Sequence, residues 1–263
     1  MVRRQELRLQ LAFNINKMKI ALLGYGKMGQ IIERFALERG HEVVLKISID
    51  NTEDLTTANL AKADVAIDFS APDAALANIY ACFDANVPVV VGTTGWYGQL
   101  QEVKNECLSR NNSLLYGSNF SIGVNLFFHI NKVMAKLMND YPAYEVQVEE
   151  IHHTQKLDSP SGTAMTIAEG IIEQMDRKTE WVNELVGTQF DDVVKKDQLL
   201  IESLRIENVP GTHTVLYSSE VDEIELKHTA HNRAGFALGA VVAAEWLQNK
   251  QGFYNIADIF NFK

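Results

Sequence analysis

The sequence predicts an α/β protein in two domains, one built on a parallel sheet with helices on both faces and one an α+β unit on a mixed or antiparallel sheet. Three observations predict it. From Met18 to about Tyr116 short apolar runs alternate with helical stretches, which is how the strand–helix repeats of a parallel sheet read. After Phe120 the character changes to a long helix and then to strands that alternate apolar and polar residues, so a second layer begins there. Towards the end, Ala234-Gly235 opens a further helical stretch, and its small residues suit a crossing back to the first domain.

Taken in order, the first domain has strands at 19–23, 43–49, 65–69, 87–91 and 114–116. Between the first two, Met28, Ile31, Ile32, Phe35 and Ala36 recur at helical spacing, and Gly40 follows as a C-terminal cap, which completes one βαβ unit. Cys82 and Cys107 each fall inside an amphipathic helix, outside any CxxC or helix-opening position, and so read as buried free thiols of a reducing compartment. In the second domain a helix at 122–138 precedes strands at 144–151, 199–207, 214–219 and 223–229, with Val209-Pro210-Gly211 as a turn. An amphipathic helix at 236–248 is expected last, within C-terminal helices that join the first domain. Residues 1–17 read as an extension without fixed structure, from an upstream start codon or an added segment. The domains are therefore 18–120 with 234–263, and 121–233.

Composition narrows the function. With 263 residues, 46% hydrophobic and 22% charged, the chain has the make-up of an ordinary globular protein with a sizeable core. No run of about 18 apolar residues occurs, so a soluble, cytoplasmic protein without a membrane role is expected. The formal charge of −10 argues against nucleic acid as a partner, because little is gained by counterion release without a basic face.

Directly after the first strand stands Gly24-Tyr25-Gly26-Lys27-Met28-Gly29. Glycines there allow a tight turn and a close approach of backbone to a pyrophosphate, which the helix N-terminus then favours. Asp50 answers the motif at the end of the second strand; a carboxylate there accepts from an adenosine ribose and repels a 2′-phosphate. The first domain thus reads as a Rossmann-type dinucleotide-binding domain, NADH preferred, with NADPH kept open by Lys46 nearby. Gly92-Thr93-Thr94-Gly95 and Gly117-Ser118-Asn119-Phe120 also lie at the carboxyl ends of predicted parallel strands, the edge where such sheets bind ligands.

The densest chemistry lies in 149–164, EEIHHTQKLDSPSGTA. Pro160 ahead of a helix opening near Gly162 or Thr163 marks an N-terminus whose amides, with the Thr163 hydroxyl, suit a carboxylate. Lys156 adds positive charge beside it, and His152 brings an imidazole, the side chain most often used to move protons, so the pocket would hold an acidic small molecule and also deliver a proton. Zinc is the competing reading. It needs three or four ligands, no Cys or His elsewhere obviously completes the set, and no metal is expected.

The HHxxKxD-S-PSGTA stretch, with GxGxMG, IDFS, GTTG and NFSIGVN in this order, resembles the dihydrodipicolinate reductase family from Met18 to the C-terminus. Segments 205–215 and 233–247 are also similar to it. The resemblance implies reduction of 4-hydroxy-tetrahydrodipicolinate to tetrahydrodipicolinate, towards diaminopimelate and lysine. It implies His152 as proton donor or acceptor, Lys156 as general acid, and His153, Ser161, Gly162 and Thr163 on the carboxylates of a dicarboxylate substrate. Cofactor contacts would fall on Gly24, Tyr25, Gly26, Lys27, Met28, Gly29, Asp50, Phe69, Gly92, Thr93, Thr94, Gly117, Ser118, Asn119 and Phe120. A homotetramer assembled through the catalytic-domain sheet is implied too. The glycine loop is one residue shorter than the family's usual form and Ser159 stands where alanine is common. Asn51 stands where many relatives carry arginine, which further favours NADH. Two rivals remain at this point: another small-substrate dehydrogenase with the same cofactor domain, and a redox-sensing NAD-binding regulator without turnover, for which a proton donor has no use.

Overall fold

The computed structural model describes residues 16–189 and 193–260; of the extension read at 1–17, only Asn16 and Lys17 fall within it. The first half is β1 (Lys19–Leu23), α1 (Lys27–Glu38), β2 (Glu42–Ile47), α2 (Thr57–Leu60), β3 (Val65–Asp68), α3 (Ala75–Asp84), β4 (Val89–Val91), α4 (Leu100–Ser109) and β5 (Ser113–Tyr116). The second half is α5 (Ile122–Met138), β6 (Glu145–His152), α6 (Gly162–Ile172), β7 (Glu180–Leu185), β8 (Gln198–Arg205), β9 (Thr212–Ser218), β10 (Glu223–Thr229), α7 (Ala234–Leu247) and β11 (Gly252–Asn255).

Six strands form one parallel sheet in the order β11-β5-β4-β3-β1-β2. Its central strands are apolar on both faces because both are covered. Ile20, Leu22, Val65 and Ile67 pack with Ile32 and Ala36 of α1 and with α7, while Ala21, Leu23, Val89 and Val91 pack with Ile79 and Phe83 of α3 and Val103 of α4. Cys82 and Cys107 are free and fully buried in that second layer; burial pushes the Cys107 thiol up to about 11 and Cys82 higher still. The other sheet is mixed, ordered β10-β9-β6-β8-β7, with β6, β8 and β7 parallel and β9 and β10 antiparallel. Helices α5 and α6 cover one face of it through Phe127, Ile167 and Ile171.

Several boundaries differ from the sequence reading for local reasons. β2 stops at Ile47 because Asn51 Oδ1 accepts from the Ser48 N–H and hydroxyl, 2.8 and 3.1 Å, and folds the chain into a turn. β4 begins after Pro88, which has no N–H to give a ladder. The two short strands β7 and β11 went unread; each lies at a sheet edge and is only half-buried. The end of the chain is therefore a helix followed by a strand, not helices alone.

The expected amphipathic helix near 236–248 is also corrected. α7 is apolar on most sides, with Ala237, Ala240, Val241, Val242, Ala243, Ala244 and Leu247 all buried, as befits a helix inside a core rather than on its surface. Gly239 lets it approach the chain at Phe120, whose carbonyl oxygen lies 1.7 Å from where a Cβ would sit. Among the described residues no helix is long and apolar enough to cross a membrane.

Candidate active site

The glycine loop meets the geometric demands of a dinucleotide cradle. Gly24 has φ +93°, and a Cβ there would lie 2.2 Å from the Phe69 carbonyl oxygen. Its N–H and that of Tyr25 both donate to Ile47 O, at 3.0 and 2.7 Å, which ties the loop to β2. Gly26 is the N-cap of α1, and a Cβ on it would meet nothing within 4 Å. Open space there, an uncapped helix start and no acidic residue in the first turn leave the amides of Lys27, Met28 and Gly29 suited to a phosphate. The residues present thus fit a dinucleotide.

Asp50 is exposed in the turn that follows β2, its N–H donating to Ser48 Oγ at 3.2 Å. Lys46 is ion-paired to Glu33 of α1 at 2.5 Å, with its ammonium 4.9 Å from the centre of the Tyr25 ring. Tyr25 donates its hydroxyl to the same Glu33. Further along the edge, Thr93 Oγ1 accepts from the Ser70 N–H at 2.8 Å, and the Phe69 ring occupies the room a side chain at Gly92 would need. Phe69 packs edge-on against Phe120, 5.6 Å between centroids. Phe120 is itself buried in the core, so any contact it makes with a ligand runs through its backbone.

The second constellation follows from strand alternation. On β6 the buried positions are Val146, Val148, Glu150 and His152, so Glu150 and His152 face the same way as the core. Register then decides their neighbours: Glu150 lies opposite Ser203 of β8 and His213 of β9, and His152 opposite Arg205. The Glu150 carboxylate is fully buried. It accepts from Ser203 Oγ at 2.8 Å and from the Ser161 N–H at 3.1 Å to each oxygen. His152, Arg205 and His213 lie 3.4, 3.6 and 3.7 Å from it. Burial pushes Glu150 up, but the two imidazoles, the Ser161 amide and the Ser203 hydroxyl outweigh that and hold it well below the usual carboxylate range. Burial lowers His213 against the pull of Glu150, with His152 and Lys156 adding to the shift.

α6 opens as expected at Gly162. Ser161 caps it, its Oγ accepting from the Ala164 N–H at 3.1 Å and lying 3.2 Å from His213 Nε2. Ser161 therefore spends both its amide and its hydroxyl inside the protein, and it is Gly162 and Thr163 that present the helix start to the cleft. A Cβ on Gly162 would meet nothing within 4 Å. Lys156 donates to both oxygens of Asp158 at 2.7 Å. That loop is clamped by Arg205, which donates to Asp158 O at 2.7 Å and Lys156 O at 3.4 Å.

One cleft of about 1110 Å³ gathers much of this, lined by Thr94, Ser118 and Asn119 from the first sheet's edge and by His152, His153, Lys156, Ser161, Gly162 and Thr163 from the second domain. The two sets touch: Asn119 Nδ2 donates to Thr163 Oγ1 at 3.4 Å. The glycine loop and Asp50 lie outside the cleft's lining. Three residues escaped the sequence reading. Arg233 lines the cleft beside α7; it opens the 233–247 segment that resembles the family but was given no role of its own. Glu150 and His213 gather on His152 through register that no local pattern announces. The zinc reading is also changed by them, since Glu150, His152 and His213 place ligand atoms within 4.8 Å of one another. The Arg205 cation beside Glu150 and the donors already on that carboxylate oppose a metal ion there.

Comparison with known proteins agrees with this layout. A family model described as dihydrodipicolinate reductase, N-terminus, matches residues 18–120, and one described as dihydrodipicolinate reductase, C-terminus, matches 123–260. The chain is 48% identical to a 4-hydroxy-tetrahydrodipicolinate reductase of Christiangramia forsetii over 93% of its own length and 98% of that protein's. It is 31% identical to one of Neisseria meningitidis serogroup A, over 86% and 83%. Among solved structures, a dipicolinate-bound dihydrodipicolinate reductase from Paenisporosarcina sp. TG-14 superposes with a TM-score of 0.75 at 26% identity, covering 93% of this chain and all of that one. Sequence from end to end of both domains and the architecture that joins them agree, and on that ground the chain belongs to the dihydrodipicolinate reductase family.

Proposed function

We propose that this protein reduces 4-hydroxy-tetrahydrodipicolinate to tetrahydrodipicolinate with NAD(P)H, a step towards diaminopimelate and lysine, and that NADH is the preferred donor. The observation that carries the reading is the shared cleft, in which the Asn119–Thr163 contact joins the dinucleotide edge to the helix start of α6. When bound, the nicotinamide supplies hydride. Gly162 and Thr163, with His153, hold the substrate's carboxylates at the α6 N-terminus, where amides and the helix dipole favour an anion. Lys156 stands at the same wall as general acid, and His152 beside it gives or takes a proton, so the electron density left by hydride addition is quenched in place. Lys156 and Arg233 on the cleft wall give a dianion cationic partners despite the chain's net charge of −10.

Preference for NADH rests on Asp50 and on what surrounds it. The Asn51 side chain is spent on its own turn, donating to Lys46 O and Asp54, and Lys46 is held by Glu33. No cation at the end of β2 is thereby offered to a 2′-phosphate. Asp50→Ala is expected to relax the kcat/KM ratio of NADH over NADPH by roughly tenfold, the scale of one close charge contact of about 1.4 kcal/mol; an unchanged ratio would tell against a ribose role.

The reading extends to residues 18–120 with 234–263 as the cofactor domain and 121–233 as the catalytic one, closing on each other when both ligands bind. Limited proteolysis that proceeds equally with and without the ligands would count against closure. A cytoplasmic location suits its two free buried thiols. A homotetramer built through the second sheet would use the face opposite α5 and α6, where Gln147, Leu200 and Leu216 stand in register and only half-buried, and light scattering gives its mass directly. The activity itself is tested by following NADH and NADPH absorbance with freshly generated 4-hydroxy-tetrahydrodipicolinate, wild type against His152→Ala. Rapid oxidation that collapses in the variant supports both reaction and residue; no oxidation with either cofactor returns the chain to the other dehydrogenases.

A further inference from the structure

Glu150 sits behind the cleft and is absent from its lining, yet every element that carries the proposed chemistry meets it. From β6 comes His152, 3.4 Å away; from β9 His213, 3.7 Å; from β8 Ser203 and Arg205; from the start of α6 the Ser161 amide. Through Arg205 it also reaches the backbone of the Lys156–Asp158 loop. An acidic residue buried without water stays ionised only among such donors. The same carboxylate lies next to the Nδ1 side of His152, an atom with no hydrogen-bond partner in this arrangement, while the imidazole's Nε2 faces Gly211 across 3.1 Å from that glycine's Cβ direction.

Accepting the reductase reading above, we propose that Glu150 is a positioning residue: its buried negative charge orients the His152–His213 pair, and its contacts set the α6 start and the Lys156 loop in common register. The two rings stand 5.1 Å apart, edge to face, too close for both to be cationic without a counter-charge. Glu150 is the carboxylate between them; Asp158 is turned to Lys156, and from β10 His228 faces His213 across the ladder, a third imidazole whose repulsion works against a charge on that ring. The logic is that of an acid–base group oriented by a third residue that never touches substrate.

Glu150→Gln keeps the shape and removes the charge. Expected is a fall in kcat of roughly 10–100-fold, with NADH binding by fluorescence unchanged and the alkaline limb of the kcat/KM profile displaced by about one pH unit towards acid, because the anion that pulls His213 towards its protonated form is gone. Glu150→Asp, which keeps the charge, should restore the limb while recovering only part of kcat. If Glu150→Gln no longer binds NADH, Ser203→Ala carries the test: it loosens the carboxylate without discharging it and should lower kcat several-fold, and an unchanged kcat there overturns the proposal. A Glu150→Gln profile that overlays the wild type, or wild-type activity abolished by a chelator and restored by a metal ion, overturns it as well. Wild-type protein that binds NADH but leaves the cyclic imine untouched refutes instead the reductase reading on which it rests.

Discussion

Lys156→Ala is expected to lower kcat by roughly 10²–10⁴-fold, the contribution of a positioned general acid, while NADH binding stays within about a factor of two. The separation follows from placement. Lys156 lies on the wall of the cleft contributed by the second domain, and its ammonium is engaged by Asp158 at 2.7 Å, away from the glycine loop and Asp50 that would carry the adenosine end. Asp158 is pulled below its ordinary value first by that lysine, so the pair is a genuine ion pair in the resting site. On the proposed reading, an incoming dicarboxylate would compete with Asp158 for the ammonium and so bring the acid to the substrate on binding. Steady-state rates with a fluorescence titration of NADH measure both quantities, and a cofactor affinity that falls in step with kcat would sink the assignment.

The second large effect is structural. Glu245→Ala is expected to cost about 3–5 kcal/mol, the scale for breaking a buried ion pair, and to lower the thermal midpoint by on the order of 10 °C. Glu245 on α7 accepts from Arg39 at 2.6 and 2.7 Å and lies 2.8 Å from His41 Nε2, while His41 Nδ1 accepts from the Met18 N–H. The glutamate side chain is only 3% exposed, so water does little to replace it. Burial raises its pKa, but His41 and Arg39 outweigh that and leave it below the ordinary 4.5. A depressed folded value means that this stabilisation is present above about pH 4.5 and drains away as acid takes the pH through the folded value. Melts of wild type and variant should therefore converge towards low pH; a constant gap would show that packing, not charge, holds α7.

What could be read from sequence was what is local. The glycine loop and the helix start after Pro160 announce themselves because a tight turn and a helix N-terminus each demand particular residues within a few positions. The α5 and β10 boundaries were read as observed for the same reason. Glu150 was quoted within its motif and given no role, because its partners Ser203, Arg205 and His213 are some fifty to sixty residues away and only the pairing of β6 with β8 and β9 brings them in. β7 failed because its half-buried edge carries too weak an alternation. α7 misled because a helix covered on most sides has no polar face from which to judge its period.

The pairing of β11 with β5, and the burial of α7 over β1 and β3, bear on how the chain is made. A ribosome releases about 5–20 residues each second and domains ordinarily mature from the amino terminus onward. Here the parallel sheet lacks both its sixth strand and the helix that seals Ile20, Ile67 and Leu115 until everything beyond residue 234 has emerged. The second unit, continuous from α5 to β10, has all its own parts earlier. The half of the molecule that is synthesised first is thus completed last, with the inserted unit standing beside it as a finished neighbour.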